Sequence, residues 1–206
     1  MAFTANTAFE VKVSNGIYDG VQNVAGKFGS FADTTFTGAD ISAGFLAIQN
    51  SLIPSEGYEN LSAPRLNGNT WYFTAASSGI VAGFPGDHTG IYAANTYDVN
   101  KLTDGADITV NFGEKTLGLG IPANVIGTFT ELRVGEQYKF GAGNFASTPT
   151  VGQYVTVSSG KWSASSGSAP TTGAIYGKVL RTEPFNEGAS FAGTGYVVQI
   201  LRSVAA

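Results

Sequence analysis

Residues 9–16 read FEVKVSNG, a stretch with the pattern of a strand followed by a turn. Phe9, Val11 and Val13 alternate with charged residues, so their side chains fall on one face of an extended strand. Asn15-Gly16 directly behind them is a strong signal for the type I′ turn of a β-hairpin. Further strands are predicted on the same grounds at 108–112 and 196–200, with shorter and more fully buried ones at 44–48 and 71–74.

Small residues and frequent glycines run through the whole chain. Its 206 residues include 28 Gly, and a glycine inside a helix costs about 1 kcal/mol relative to alanine. Gly, Asn, Asp and Ser recur at short intervals, as they do in an all-β domain with many turns. Helix is expected at most as one or two turns around 92–102. The sequence therefore predicts an all-β fold.

The spacing of turns divides the chain into two unequal parts. Residues 1–124 are predicted to form a loop-rich N-terminal β domain, and residues 125–206 a small C-terminal β-barrel or sandwich. In the second part, Val134-Gly135-Glu136-Gln137-Tyr138 is echoed by Val151-Gly152-Gln153-Tyr154. Each copy puts a glycine suited to positive φ before a polar residue and an aromatic that starts a strand. The polar segment 158–172 is predicted to be a surface loop.

Charge and cysteine content exclude several classes of function. The chain has 11 Lys plus Arg against 15 Asp plus Glu, a net charge of −4, so it lacks the positive charge with which proteins bind nucleic acid. It has no Cys, which excludes disulfides, thiolate metal sites and a cysteine nucleophile. No signal peptide is visible, and the apolar runs are far shorter than the ~18 residues of a membrane-spanning helix. We expect a protein made in a cytoplasm that binds neither nucleic acid nor membrane.

Two groups of side chains have residue types that are used in catalysis. Asp87-His88 is the one acid–imidazole neighbour pair, but adjacent residues in an extended loop point to opposite sides, so the aspartate is badly placed to orient the imidazole. Glu131 and Glu136 have the residue type of a glycosidase pair, yet they flank a turn and nothing marks either as buried. The sequence predicts no catalytic residue and no enzymatic activity.

Among metal centres, a calcium site is the one that the sequence matches best. Asp98, Asp104 and Asp107 supply oxygen ligands, which hard cations prefer. The spacing departs from the helical calcium loop because no Glu closes it, and Thr103-Asp104-Gly105 reads more simply as a turn. The sequence predicts no metal and no cofactor.

Trp71-Tyr72-Phe73 places three aromatic side chains in one predicted strand. Neighbouring residues of a strand point to opposite faces, so these three cannot all face one core. The second face must be covered by the other half of this chain or by another subunit. Since Tyr and Trp are enriched at interfaces, Trp71, Tyr72 and Phe73 are candidate oligomer-interface residues.

Several segments together resemble proteins of tailed-phage head modules. The last third resembles the small β-barrel of phage capsid decoration (cement) proteins, in Val134-Gly135-Glu136, Gly152-Gln153-Tyr154, Gly177-Lys178-Val179 and Gly193-Thr194-Gly195-Tyr196-Val197-Val198. The earlier segments that resemble phage head proteins are 67–76, 91–99 and 116–119. The resemblance implies a non-enzymatic virion protein, often a homotrimer, that binds the outer surface of the lattice of major capsid protein and stabilises it.

The N-terminal segment 1–9 is the candidate arm onto that capsid. Phe3 and Phe9 are the candidate capsid contacts, because burial of a Phe contributes about 1.5–3 kcal/mol and a lattice multiplies it by avidity. The alternative for Phe3 is that it packs into the chain's own barrel. Two other functions stay open: a phage tail-tube protein, and a carbohydrate-binding β-module that uses exposed Trp162 or tyrosines as sugar platforms.

Overall fold

The computed structural model describes residues 4, 6–13, 23–32, 35–53, 71–77, 91–97, 120–165, 167–170, 175–185 and 193–202. These residues form β-strands and one short 3₁₀ turn (Ala142–Asn144), so the predicted all-β fold is confirmed. The strands are β1 (Phe9–Val13), β2 (Asn23–Ala32), β3 (Thr35–Gly38), β4 (Leu46–Leu52), β5 (Trp71–Ala75), β6 (Ile91–Tyr97), β7 (Gly127–Glu131), β8 (Gln137–Gly141), β9 (Tyr154–Ser158), β10 (Lys161–Ala164), β11 (Tyr176–Phe185) and β12 (Gly193–Arg202). The described part of the chain holds no helix long and apolar enough to cross a membrane.

Five strands close into a barrel because β2 has two partners. It runs parallel to β5 and antiparallel to β7, and β5, β4, β6 and β7 pair in that order to complete the ring. β3 extends β2 as a hairpin. Inside the barrel Phe73 and Phe129 stack with ring centroids 3.8 Å apart, in an apolar cluster with Ile41, Ala47 and Ile121. Closure pairs strand edges that would otherwise be exposed.

The other six strands form a sheet in the order β1-β8-β12-β11-β9-β10. Phe145, just after β8, forms a β-bridge with Trp162 of β10, and the N–H of Ala146 donates to the carbonyl of Trp162 at 2.8 Å. Because these contacts join distant parts of the strand order, the sheet curls round its own core. Trp162 is fully buried in that core, with the ring of Phe140 edge-on at 5.7 Å.

β4 belongs to both cores. Leu46 and Ile48 pack into the core of the curled sheet, whereas Ala47 between them packs into the barrel, as the alternation of a strand requires. The β9–β10 turn is bonded to the barrel as well: Leu46 N–H donates to the carbonyl of Gly160 at 2.7 Å, and Gly160 N–H donates to the carbonyl of Ala76 at 2.8 Å. The two β units are therefore joined by shared packing and by backbone hydrogen bonds.

Strands cross the predicted domain boundary between 124 and 125 in both directions. β1 joins the curled sheet, with Phe9 opposite Phe140 of β8. β7, which begins at Gly127, joins the barrel. The division into 1–124 and 125–206 stays a prediction, and the two sheets draw strands from both sides of it.

The repeated turn predicted before β8 and β9 is confirmed. Gly135 has φ of +88° and Gly152 has φ of +86°, and a strand follows each turn within two residues. The two turns also bond to their neighbours alike, since Gly135 N–H donates to the carbonyl of Ile200 at 2.8 Å and Gly152 N–H donates to that of Val179 at 2.7 Å. The repeat in sequence is thus a repeat in backbone structure.

Two predictions about irregular segments are wrong. Helix was expected around 92–102, but residues up to Tyr97 belong to β6, which is paired on both sides by β4 and β7. The polar segment 158–172, expected to be a surface loop, contains β10 because Trp162 anchors it in the core. The predicted strand at 108–112, the Asn15-Gly16 turn and residues 98–102 lie outside the described residues.

Candidate functional site

The N-terminal segment is fastened to the body of the protein from Thr4 onward. The N–H of Thr4 donates to Oγ of Ser42 at 2.8 Å. The carbonyl of Asn6 accepts from the N–H of Gly143 at 2.8 Å. Thr4 and residues 6–8 therefore lie along the body, and the part of the candidate arm before Thr4 lies outside the described residues.

Phe9, one of the two candidate capsid contacts, lies in the core of the chain's own fold. It is 3% exposed, and its ring lies 5.9 Å from that of Tyr138 and 5.4 Å from that of Phe140. A contact of Phe9 with a partner would require the side chain to leave this core. Phe3, the other candidate, lies outside the described residues.

Asn144 holds the N-terminal segment in place with a fully buried side chain. Its Oδ1 accepts from the N–H of Ala8 and the N–H of Gly141, both at 3.0 Å, and its Nδ2 donates to the carbonyl of Ala43 at 2.7 Å. One side chain thus joins the start of the chain, the turn before β4 and the end of β8. Buried backbone groups need such partners, because an unpaired one costs about 1–3 kcal/mol.

Deleting residues 1–8 is expected to lower the melting temperature by at least about 4 °C, since several net hydrogen bonds of about 0.5–1.5 kcal/mol each are lost. The measurement is differential scanning calorimetry of the truncated and full-length proteins. The control is the substitution Phe3→Ala, which leaves the bonds of Thr4, Asn6 and Ala8 in place. An unchanged melting temperature in the deletion would contradict the fastening described above.

The three candidate oligomer-interface residues of β5 have different environments. Phe73 is fully buried inside the barrel, and Trp71 is partly buried against the same apolar cluster. Tyr72 points to the other face, where its ring lies 5.9 Å from Phe31 and 6.0 Å from Phe36 of the β2–β3 hairpin. The chain itself therefore supplies part of the cover for the second face of β5, and the three rings stay partly exposed. Of the three side chains, buried Phe73 offers no surface to a second subunit.

The two glutamates that resembled a glycosidase pair each have a structural partner. Glu131 forms an ion pair with Nε of Arg133 at 3.2 Å. Glu136 accepts a short hydrogen bond from the hydroxyl of Tyr138, which also accepts from the N–H of Arg133 at 3.0 Å. Burial and the adjacent Glu136 raise the pKa of Tyr138 well above its usual value, so this hydroxyl keeps its proton and continues to donate.

Asp87-His88 and the candidate calcium ligands Asp98, Asp104 and Asp107 lie outside the described residues. Within the residues that the structure describes, no group of three or more His, Asp or Glu side chains is arranged to hold a metal ion. The predictions of no metal, no cofactor and no catalytic residue stay predictions.

An ion-pair cluster crosses one face of the curled sheet. It consists of Glu10, Lys12, Lys139, Arg181 and Glu183. Lys12 lies 2.9 Å from Glu183 and 3.2 Å from Glu10, Arg181 lies 2.7 Å from Glu183, and buried Lys139 contacts Glu10. The cluster connects β1 with β8 and, across β12, with β11.

The cluster shifts the pKa values of Glu10, Lys12 and Glu183 towards their charged forms. The hydrogen bond from Lys12, with support from Arg181, holds the pKa of Glu183 below its usual range. Burial alone would raise the pKa of Glu10, but Lys139 and Lys12 outweigh it, and the pKa is lowered. The pKa of Lys12 is raised, chiefly by Glu183.

Acid is expected to destabilise the protein through this cluster. A carboxylate with a lowered pKa in the folded state contributes stability above its unfolded pKa of 4.5 and loses it as the pH falls through the folded value. The melting temperature should therefore decline below about pH 4.5, and more shallowly in Glu183→Gln, which has one such carboxylate fewer. Thermal melts from pH 7 to pH 3 measure both slopes, and identical acid slopes in the two proteins would contradict the assignment.

A second patch on the curled sheet combines aromatic rings with cations. We name it the tyrosine–cation face: Tyr154, Tyr176, Lys178 and Arg202. The two rings lie 6.1 Å apart, with Nζ of Lys178 5.3 Å from the centroid of Tyr154 and the guanidinium of Arg202 5.6 Å from that of Tyr176. All four are half-buried residues on the face opposite the core. They form a pre-arranged surface on β9, β11 and β12.

Sequence reasoning missed Asn144, the ion-pair cluster and the tyrosine–cation face. Their members are far apart in the chain, and only the pairing of strands brings them together. Tyr176-Gly177-Lys178 carried the one local signal, since the two residues that flank the glycine share a face of a strand. Trp162, predicted as an exposed sugar platform, is fully buried and cannot serve as one in this fold. Neither a family model nor a curated protein nor a solved structure matches the chain.

Proposed function

We propose that this chain is a non-enzymatic structural protein of a phage virion that binds the outer surface of the capsid and stabilises it. The observation that carries the proposal is the interlocking of its two β units. β4 packs into both cores. β1, before the 124/125 boundary, joins the curled sheet, and β7, after it, joins the barrel. The resemblance of the sequence to capsid decoration proteins also supports this proposal.

Interlocking matters to this function because a clamp between capsid subunits has to transmit force. If only a flexible linker joined the two β units, the linker would stretch and the capsid subunits would move apart without load on either unit's contact. In this chain, pulling the two β units apart would break the hydrogen bonds of Gly160 to Leu46 and Ala76 and would open the shared apolar core. Many copies on one lattice then act together, so each contact can be modest.

Co-sedimentation with phage heads tests the proposal. Heads from a phage mutant that lacks this gene are mixed with the purified full-length chain and pelleted. We expect the chain to pellet with the heads, up to a fixed number of copies per particle, and to raise the temperature at which the heads release their DNA. Absence from purified heads together with presence in tails would overturn the proposal in favour of a tail-tube protein.

We propose further that the protein associates as a homotrimer, on the basis of the resemblance. Tyr72 and its neighbours Phe31 and Phe36 form a half-exposed aromatic cluster on the outside of the barrel, which supports association through this side. Multi-angle light scattering is expected to give three times the chain mass of 21.3 kDa. A stable hexameric ring would favour the tail-tube alternative.

A further inference from the structure

A groove in the body of the protein receives the start of the chain. We name it the N-terminal groove, and its residues are Ser42, Ala43, Gly44, Gly141, Gly143 and Asn144. Hydrogen bonds from this groove hold four backbone groups of the segment: the N–H of Thr4, the carbonyl of Asn6, and both the N–H and the carbonyl of Ala8. Because the contacts are made to the backbone, the same segment of another copy of the chain fits the groove equally well.

The N-terminal groove is shaped for small side chains and close backbone approach. A Cβ at Gly44 would lie 2.9 Å from the carbonyl oxygen of Ala8, and a Cβ at Gly141 would collide with the carbonyl oxygen of Asn6. Thr7 and Ala8 are both buried in the groove. The groove is therefore a binding site for a peptide with the shape of this segment, and it is not a general apolar cleft.

The segment and β1 together can leave the body without breaking the remaining sheet. β1 is at one end of the strand order of the curled sheet, where it pairs with β8. The sheet curls closed through the bridge of Phe145 to Trp162, to which β1 does not contribute. The hydroxyl of Thr7 donates to the carbonyl of Thr4 at 2.9 Å, so the segment also carries part of its own shape. These properties suit an element that moves as one piece.

The partners of the segment are far from it along the chain. Ser42 is 38 residues from Thr4, and Asn144 is 136 residues from Ala8. Residues 14–22 join β1 of the curled sheet to β2 of the barrel. A connection of nine residues extends to at most about 35 Å, which is long enough to reach a copy in contact with this one.

We infer that the N-terminal groove of each copy holds the N-terminal segment and β1 of a second copy in the assembled protein. The inference rests on the proposed homotrimer, for which it names the joining element. Exchange keeps the contacts of the segment, because an identical segment takes its place, and the high local concentration on a lattice offsets the entropy of association. Head-to-tail exchange of this kind closes into a ring. Phe9 is then an arm residue and a core residue at once.

Disulfide trapping in the full-length chain tests the inference, because the protein has no cysteine of its own. Glu10 of β1 and Lys139 of β8 are directly opposite each other, and the Cα atoms of such a pair are about 4.5–5.5 Å apart, which a disulfide spans. The double variant Glu10→Cys/Lys139→Cys removes both members of their ion pair together. We expect it to form interchain disulfides and to run on a non-reducing gel at three times the chain mass of 21.3 kDa.

Thr156→Cys/Ser163→Cys is the matched control. Thr156 and Ser163 are also directly opposite each other, but both lie in the β9–β10 hairpin, so their disulfide stays within one chain. Circular dichroism and thermal melts check that both double variants are folded. A band at the mass of a single chain for Glu10→Cys/Lys139→Cys overturns the inference. An equal share of interchain disulfide in the control overturns it as well, since the links would then be non-specific.

The rate at which copies trade places gives a second measurement without cysteines. Tagged and untagged oligomers are mixed, and native mass spectrometry follows the appearance of mixed species. Asn144→Ala removes a bond that holds Ala8 in the groove, so we expect mixing at least about tenfold faster than in the wild type. Gln153→Ala, in an exposed turn, should change the rate less than about twofold. Equal rates in the two variants would show that the segment does not join the copies.

Failure of the inference and failure of the proposed function give different results. Exchange is read from the gel, whereas capsid binding is read from co-sedimentation of the wild type with phage heads. If the wild type pellets with heads and the Glu10→Cys/Lys139→Cys variant runs as a single chain, the inference fails and capsid binding stands. If that variant forms a covalent trimer and the wild type does not pellet with heads, the exchange stands and the capsid function fails.

Discussion

Replacing Trp162 by alanine is expected to lower the free energy of unfolding by about 3–5 kcal/mol, the usual cost of removing a large aromatic side chain from a core. Trp162 is fully buried, and it packs edge-on against Phe140 in the core to which β4 contributes Leu46 and Ile48. The cavity would open where the curled sheet meets itself at Phe145, so local collapse cannot fill it without breaking that bridge. Denaturant unfolding followed by circular dichroism measures the loss.

Trp162→Phe is the control for this prediction. Nε1 of Trp162 is buried without a hydrogen-bond partner, so phenylalanine removes an unsatisfied donor while keeping an aromatic ring in the core. We expect its cost to be under about 1.5 kcal/mol, because the gain from removing the donor offsets part of the lost packing. Equal destabilisation by Ala and Phe would contradict the account of this position.

Replacing Asn144 by alanine is expected to cost about 3 kcal/mol, because buried groups that lose a hydrogen-bond partner cost about 1–3 kcal/mol each. The carbonyl of Ala43 and the N–H of Ala8 both lose Asn144, whereas Gly141 N–H retains the carbonyl of Ala8 at 3.0 Å. Amide hydrogen exchange should accelerate at Ala8 before it does at the centre of β12. Equilibrium unfolding gives the total effect.

Gln153→Ala is the matched control for Asn144→Ala. Oε1 of Gln153, like Oδ1 of Asn144, accepts from a backbone N–H, here that of Thr150 at 3.0 Å, but this bond lies in an exposed turn. Water replaces such a partner, so the expected cost is below about 0.5 kcal/mol. A similar cost for both substitutions would show that burial does not set the importance of Asn144.

Alternation and turn chemistry predicted the strands whose signal is local. Phe9–Val13 and the C-terminal strand were predicted because one face of each is apolar, and Gly135 and Gly152 because their turns require positive φ. The helix predicted around 92–102 was wrong because the small residues of this segment are compatible with a helix as well as with a strand. What makes 91–97 a strand is pairing with β4 and β7, a tertiary effect that no local pattern contains.

The candidate binding surfaces were harder to predict from the sequence than the strands were. Trp162 lies in a polar stretch, so its neighbours indicated an exposed side chain, although burial is decided by the partner strand. Segment 1–9 mixes apolar and polar residues, which indicates an arm, and nothing local reveals that Phe9 pairs with the distant Phe140. Lys178 and Arg202 meet their tyrosines only through the pairing of three strands. Contacts of this kind depend on topology, which local periodicity does not specify.

The pairing of β1 with β8 has a consequence for how the protein is made. Phe9 and Phe140 lie opposite each other although about 130 residues separate them in the chain. On a ribosome that adds 5–20 residues per second, β1 waits roughly 7–26 s before its partner strand is synthesised. Throughout that interval the apolar ring of Phe9 is without its native neighbours and is open to chaperones. β1 is therefore placed late although it is translated early, and we expect refolding from denaturant to be slow at this step because the pairing is so distant in sequence.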